Sequence, residues 1–158
     1  MIDRTIIARG ITNLTDARYF AARGIEYLLF DLDEIPIKKI EEIKEWVEGP
    51  ELLLTFSESS LHLIEESIIK LEPAGLGVPN PDLQKSIEHL SAYTKLFDMS
   101  KDEVHFADTR FYQVDKINDI NSLDSEAGIL ISGSHESEVG VKSFDELDEL
   151  LDYLEESN

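Results

Sequence analysis

The chain has 158 residues, of which 34 are acidic and 14 basic, giving a net charge of −20 with an apolar share of 42% and no cysteine. That length buries one sizeable core, so residues 1–158 are expected to form a single domain; the charge repels nucleic acid and anionic membranes, and the lack of thiols excludes disulfides, thiolate metal sites and a cysteine nucleophile. No stretch approaches the roughly 18 apolar residues of a membrane span and no basic segment leads an apolar core at the N-terminus, so a cytoplasmic protein without a signal peptide is expected.

Runs rich in Ile, Leu and Val alternate with helical periodicity, the pattern of a parallel α/β sheet. The first strand is predicted at about Thr5 to Arg9. Asn13 is placed as the cap of a helix whose apolar face is Leu14, Ala17, Phe20 and Ala21, and Gly24 ends it. A second strand covers Tyr27 to Leu32, and Pro36 opens a helix with the stripe Ile37, Ile40, Ile43 and Val47. Glu51 to Phe56 is the third strand, followed by a helix capped at Ser59 or Ser60 with Leu61, Ile64, Ile68 and Leu71 inward. The fourth strand is Gly75 to Val78, and Asn80-Pro81 starts the helix bearing Leu83, Ile87 and Leu90.

The rhythm then breaks. Tyr93 to Phe97 and Val104 to Ala107 both read as strands, yet a parallel crossover needs a dozen or more connecting residues. Either one run is not a strand, or a bare loop replaces a helix. A short helical pattern (Val114, Ile117, Ile120) precedes Gly128 to Ile131, a buried strand, and Ser143-Phe-Asp-Glu146 is a capping box for the last helix.

Three patches resemble phosphoribosylanthranilate isomerase, the (βα)-barrel enzyme of tryptophan synthesis. They are Gly10-Ile-Thr-Asn13-Leu-Thr-Asp16 through Gly24, Phe106-Ala-Asp108-Thr-Arg110, and the run from Gly128 through Ser132-Gly-Ser-His135 to Lys142. The resemblance implies an aldose–ketose isomerase in which Asp108 is the general acid. It also implies a phosphate-binding loop at Ser132, Gly133, Ser134 and His135, where amides and a helix N-terminus hold the anion. The implied ligand is a phosphorylated small molecule, with no cofactor and no metal.

Departures from that family shape the remaining expectations. Its general base is a cysteine where this chain has Arg9, and an arginine stays protonated because its pKa exceeds about 12. The acids Asp31 and Asp33 stand near the family's carboxylate-binding arginine, and either is a candidate replacement base. A full eight-unit barrel usually needs roughly 250 residues, so the expected fold is a reduced TIM-type (βα) barrel with six or seven mostly parallel strands. An open doubly wound sheet of five or six strands is the alternative. A missing unit leaves strand edges that a covering segment or a homodimer would shield. Three functions remain open: an isomerase-like protein without isomerase activity, an active enzyme on a related sugar phosphate, and an acidic interaction module on an inherited fold. Acids at strand ends (Asp31, Asp33, Glu58, Asp98, Asp108) leave a divalent cation as a further ligand class.

Overall fold

The computed structural model describes residues 4–133, 136–138, 141–142 and 144–156. Its first half follows the sequence closely. β1 (Ile6–Arg9) leads into α1 (Leu14–Ala22), where the Asn13 side chain accepts from the Asp16 amide at 2.9 Å. β2 (Tyr27–Asp31), α2 (Ile37–Trp46), β3 (Glu51–Thr55), α3 (Leu61–Leu71) and β4 (Gly75–Val78) come next. Ser60 caps α3 by accepting from the Leu63 amide. A stretch of short helical turns, Pro81–Leu83, α4 (Gln84–Ile87) and Glu88–Ala92, carries the chain to β5 (Lys95–Met99).

β5, β6 (Glu103–Phe106) and β7 (Thr109–Gln113) form an antiparallel meander. This resolves the crowded spacing: both expected runs are strands, and the helix between them is replaced by a turn. Ala107 and Asp108 both have positive φ, 53° and 62°, so they make the two-residue turn whose twist suits a tight hairpin. β7 was not expected from sequence. α5 (Ile117–Asn121), β8 (Gly128–Ser132), a small ribbon of β9 (Glu136–Glu138) and β10 (Val141–Lys142), and α6 (Asp145–Glu156) complete the chain.

The eight strands β1 to β8 close in sequence order, with β1 paired to β8. The barrel is therefore mostly parallel, as expected, but has eight strands instead of six or seven. Only β6 runs against the others, pairing antiparallel with β5 and β7, while β4–β5 and β7–β8 are parallel. Reversing one strand lets turns of two or three residues do the work of two helical crossovers. Closure also removes the bare edges beside β6 and β8 that were expected to call for a covering partner.

Two apolar layers result. Ile6, Ala8, Leu28, Phe30, Leu54, Leu76, Ile129 and Ile131 pack outward with the helices. Ile7, Leu29, Leu53, Phe97, Val104, Phe106, Phe111 and Leu130 fill the lumen. The lumen's bulk comes from the meander, and the space for it from glycines on the flanking strands. A Cβ on Gly128 would lie 2.4 Å from the Phe111 ring, and one on Gly75 would lie 2.9 Å from Phe106. Large and small residues thus interlock across neighbouring strands. Among the described residues, no helix is long and apolar enough to cross a membrane.

Candidate functional site

Parallel barrels place ligands at the mouth formed by the C-terminal strand ends. Because side chains alternate along a strand, the parity set by Ile7, Leu29, Leu53 and Leu130 turns Arg9, Asp31, Thr55 and Ser132 toward that mouth. Arg9 projects from β1, and its Nη1 donates to the Lys101 carbonyl at 2.6 Å. Lys101 lies in the β5–β6 turn, and β5 is four strands from β1 in either direction. The arginine therefore reaches across the opening. Met99 fills the space over Gly77, where a Cβ would approach its sulfur to 2.5 Å.

Asp31 sits one strand from Arg9. Burial pushes its carboxyl pKa above the ordinary value, as does the charge of Asp33; the Asp33 amide, which donates to Asp31 Oδ1 at 2.9 Å, and Arg9 pull the other way. Asp33 has a different environment. Burial raises its pKa, but the hydroxyls of Ser57 and Ser59 and the amides of Ser57 and Glu58 outweigh that and hold it at about 2. Its Oδ2 accepts from the Ser57 amide at 2.7 Å and the Glu58 amide at 2.8 Å. Asp33 therefore ties the loop after β2 to the loop after β3, with its acceptor sites occupied. Of the two candidate bases, Asp33 is held by four donors from the loop after β3, and Asp31 is the one that strand parity turns toward the mouth.

Asp108 is not brought to this end. The segment Phe106 to Arg110 was expected to finish a strand, but it is the hairpin turn from β6 to β7. β7 runs parallel to β8, so its start, and Asp108 with it, lies at the opposite end of the barrel from Arg9. The Phe-Ala-Asp-Thr-Arg likeness concealed this because it fixes residue types, not strand direction. Asp98 also departs from expectation, since it lies opposite His105 on the outer face of the meander. Among the described residues, no group of three or more His, Asp or Glu side chains is placed to hold a metal ion.

The expected phosphate loop is described as far as Gly133; Ser134 and His135 lie outside the described residues, as does the capping residue Ser143. Ser132 is exposed, and the Gln113 Nε2 contacts its hydroxyl at 3.4 Å while also donating to Asp115 at 3.1 Å. The Gly133 amide donates to the Arg9 carbonyl at 2.9 Å. Beside it lies Asp16, a buried carboxylate in the first turn of α1, whose Oδ2 would come within 2.8 Å of a Cβ at Gly133. In the sequence Asp16 stands out only as part of the Gly10 motif. Its burial beside the β8 loop left no local signal, because the contact spans more than a hundred residues. Met99, Gln113 and the Lys101 carbonyl were missed because they too meet their partners through contacts between separate strands, 19 to 92 residues apart.

Two solved structures share this architecture along the whole chain. Phosphoribosylanthranilate isomerase from Thermus thermophilus aligns with a TM-score of 0.71 at 14% identity, covering 98% of this chain and 100% of that one. N-(5'-phosphoribosyl)anthranilate isomerase from Pyrococcus furiosus aligns with a TM-score of 0.61 at 14% identity, covering 97% and 99%. No family model and no curated protein matches the sequence. The chain has the fold of phosphoribosylanthranilate isomerase.

Proposed function

We propose that this chain is an isomerase-fold protein that no longer isomerises, its barrel mouth filled by its own side chains. Opening a ribose ring and moving a proton to form an aminoketose takes an acid and a base on opposite sides of one substrate. Arg9 carries the reading: a permanent cation stands at the base position and is spent on the Lys101 carbonyl. Asp108, the acid implied by resemblance, sits at the far end of the barrel. Asp31 remains as a single carboxyl, and one group does not make the pair.

Weak anion binding belongs to the same proposal. Ser132 is exposed at the end of β8, and the charge interaction that holds an anion at such a site is about 1 kcal/mol. The Gly133 amide is already bonded to the Arg9 carbonyl, which takes one donor away from an anion there. Inorganic phosphate should therefore shift the Ser132 amide resonance only at millimolar concentration or above. Saturation at micromolar phosphate would mean a working cradle.

The competing reading, an active enzyme on a sugar phosphate, draws on Asp31, which faces the mouth with a raised pKa. Growth of a tryptophan-requiring strain lacking the isomerase separates the two. The proposal expects no growth when this chain is supplied, and growth that depends on Asp31 would overturn it.

A further inference from the structure

The chain has 34 acids, yet among the described residues the Arg9 guanidinium forms an ion pair with none of them. Its side-chain hydrogen bond runs from Nη1 to the Lys101 carbonyl, a neutral acceptor, at 2.6 Å. A guanidinium carries five N–H donors in a planar fork, and an oxyanion that takes two of them at once is a stronger partner than a single carbonyl. Asp31, one strand away, feels the arginine's charge without pairing with it.

The acceptor belongs to the turn between β5 and β6. Among the described residues, the Arg9 bond is the one hydrogen bond that reaches from this turn to the far side of the mouth. Its other ties stay on the near side. The Ser100 amide donates to the Glu103 carbonyl at 2.8 Å and closes the hairpin, and the Gln113 amide donates to the Asp102 carbonyl at 3.1 Å. Lys101 and Asp102 are exposed, so their side chains do not pack the turn down. At the other end of the bond the Arg9 backbone is fixed: it stands in register with Ser132, and its carbonyl accepts from the Gly133 amide at 2.9 Å. The arginine side chain is therefore the part free to change partners.

We propose that the Arg9–Lys101 bond is a latch over the barrel mouth, which a small oxyanion, a carboxylate or a phosphate, opens by taking the guanidinium for itself. The exchange replaces one bond to a neutral carbonyl with a two-pronged, charge-assisted pair. Once released, the β5–β6 turn keeps its hairpin bonds and loses its hold on β1. Asp31 and the net charge of −20 oppose an incoming anion, so the latch opens only at millimolar concentrations. The inference rests on the reading of a mouth closed by the chain's own groups, and a latch that stays shut would leave the loss of isomerisation standing.

Carbonyl-detected NMR on the full chain reads the latch without reference to turnover, because accepting a hydrogen bond polarises the peptide group shared by Lys101 and Asp102. Acetate and inorganic phosphate are titrated separately, with sodium chloride holding ionic strength constant. In wild type at least one of them should move the Lys101 carbonyl carbon upfield, with half the change at about 1–100 mM. Arg9→Met, which has no donor to offer, should begin near that end point and respond to neither anion; Arg9→Gln takes its place if the methionine variant does not fold. A response to acetate alone assigns the latch to carboxylates, and one to phosphate alone assigns it to phosphates. A Lys101 carbonyl that neither anion moves in wild type, or that moves equally in wild type and variant, would overturn the proposal.

Discussion

The barrel has two arcs, and they meet the same requirement in opposite ways. In β1 to β4 and β8, both faces of the strands are covered, by the lumen on one side and helices on the other. Those strands are apolar at nearly every position, as in Ile-Leu-Ile of β8. In β5 to β7 most of the outer face meets water, Leu96 alone packing against the helical layer, and the residues alternate: Phe97, Val104, Phe106 and Phe111 are buried, while Asp98, His105 and Arg110 are exposed. A parallel strand needs a long crossover, and an antiparallel one needs only a turn. Dropping helices without opening the barrel therefore requires reversing a strand and making its outer face polar. This chain does both within nineteen residues, from Lys95 to Gln113.

The largest test sets outward residues of the two arcs against each other. Phe30 on β2 is fully buried, so Phe30→Ala should cost about 3–5 kcal/mol of unfolding free energy. His105 on β6 is exposed, so His105→Ala should stay within about 0.5 kcal/mol. Urea denaturation of both variants measures the contrast, and equal losses would mean that the meander's outer face is covered.

The seam between the arcs comes next. Gly128→Ala would drive a methyl group into the Phe111 ring, and overpacking of this kind costs about 1–3 kcal/mol. Combining it with Phe111→Leu should recover part of that loss. Additive losses in the double variant would show that glycine and ring are not matched.

A smaller effect lies within the covered arc. Asp33→Asn weakens the clamp between the loops after β2 and β3. Asp33 is exposed, so its depressed pKa is discounted for solvent screening to about 1 kcal/mol. The sign follows from a folded pKa of about 2 against 3.8 for the free group. The carboxylate's contribution is complete above 3.8 and is lost as pH falls toward 2. The stability gap between wild type and variant should therefore close over that interval; a gap that widens on acidification contradicts the clamp.

The smallest change should be a gain. Ala107 holds a left-handed conformation at φ 53°, which costs an L-residue with a Cβ roughly 1–2 kcal/mol. Ala107→Gly removes that strain at some entropic cost, for a net rise in stability of up to about 0.5 kcal/mol. A drop in melting temperature would mean that the Ala107 methyl makes contacts worth more than the strain.

The same contrast explains what could be read beforehand. β1 to β4 and α1 to α3 were legible almost to the residue, because strands apolar on both faces, the caps Asn13 and Ser60, and Gly24 mark their limits locally. β7 was not legible: in Thr-Arg-Phe-Tyr-Gln only Phe111 is fully buried, which leaves little apolar pattern to detect. The site was half legible. Arg9 stands at the mouth as its place in the Gly10 motif implied, whereas Asp108 was misplaced because strand direction is not written in a five-residue motif. The Arg9–Lys101 bond joins residues ninety-two positions apart through a backbone carbonyl, a contact with no side-chain signature in the sequence.

The central claim is that filling the mouth ended isomerisation, and turnover of phosphoribosylanthranilate by purified protein tests it most directly. Losing one member of an acid–base pair costs about 10²- to 10⁴-fold in rate, and under the proposed function Arg9 stands where the base would be while Asp108 lies at the far end of the barrel. A sensitive fluorescence assay should find wild type indistinguishable from Asp31→Asn and from a no-enzyme control. Turnover by wild type that vanishes in Asp31→Asn would contradict the account and make Asp31 a catalytic residue.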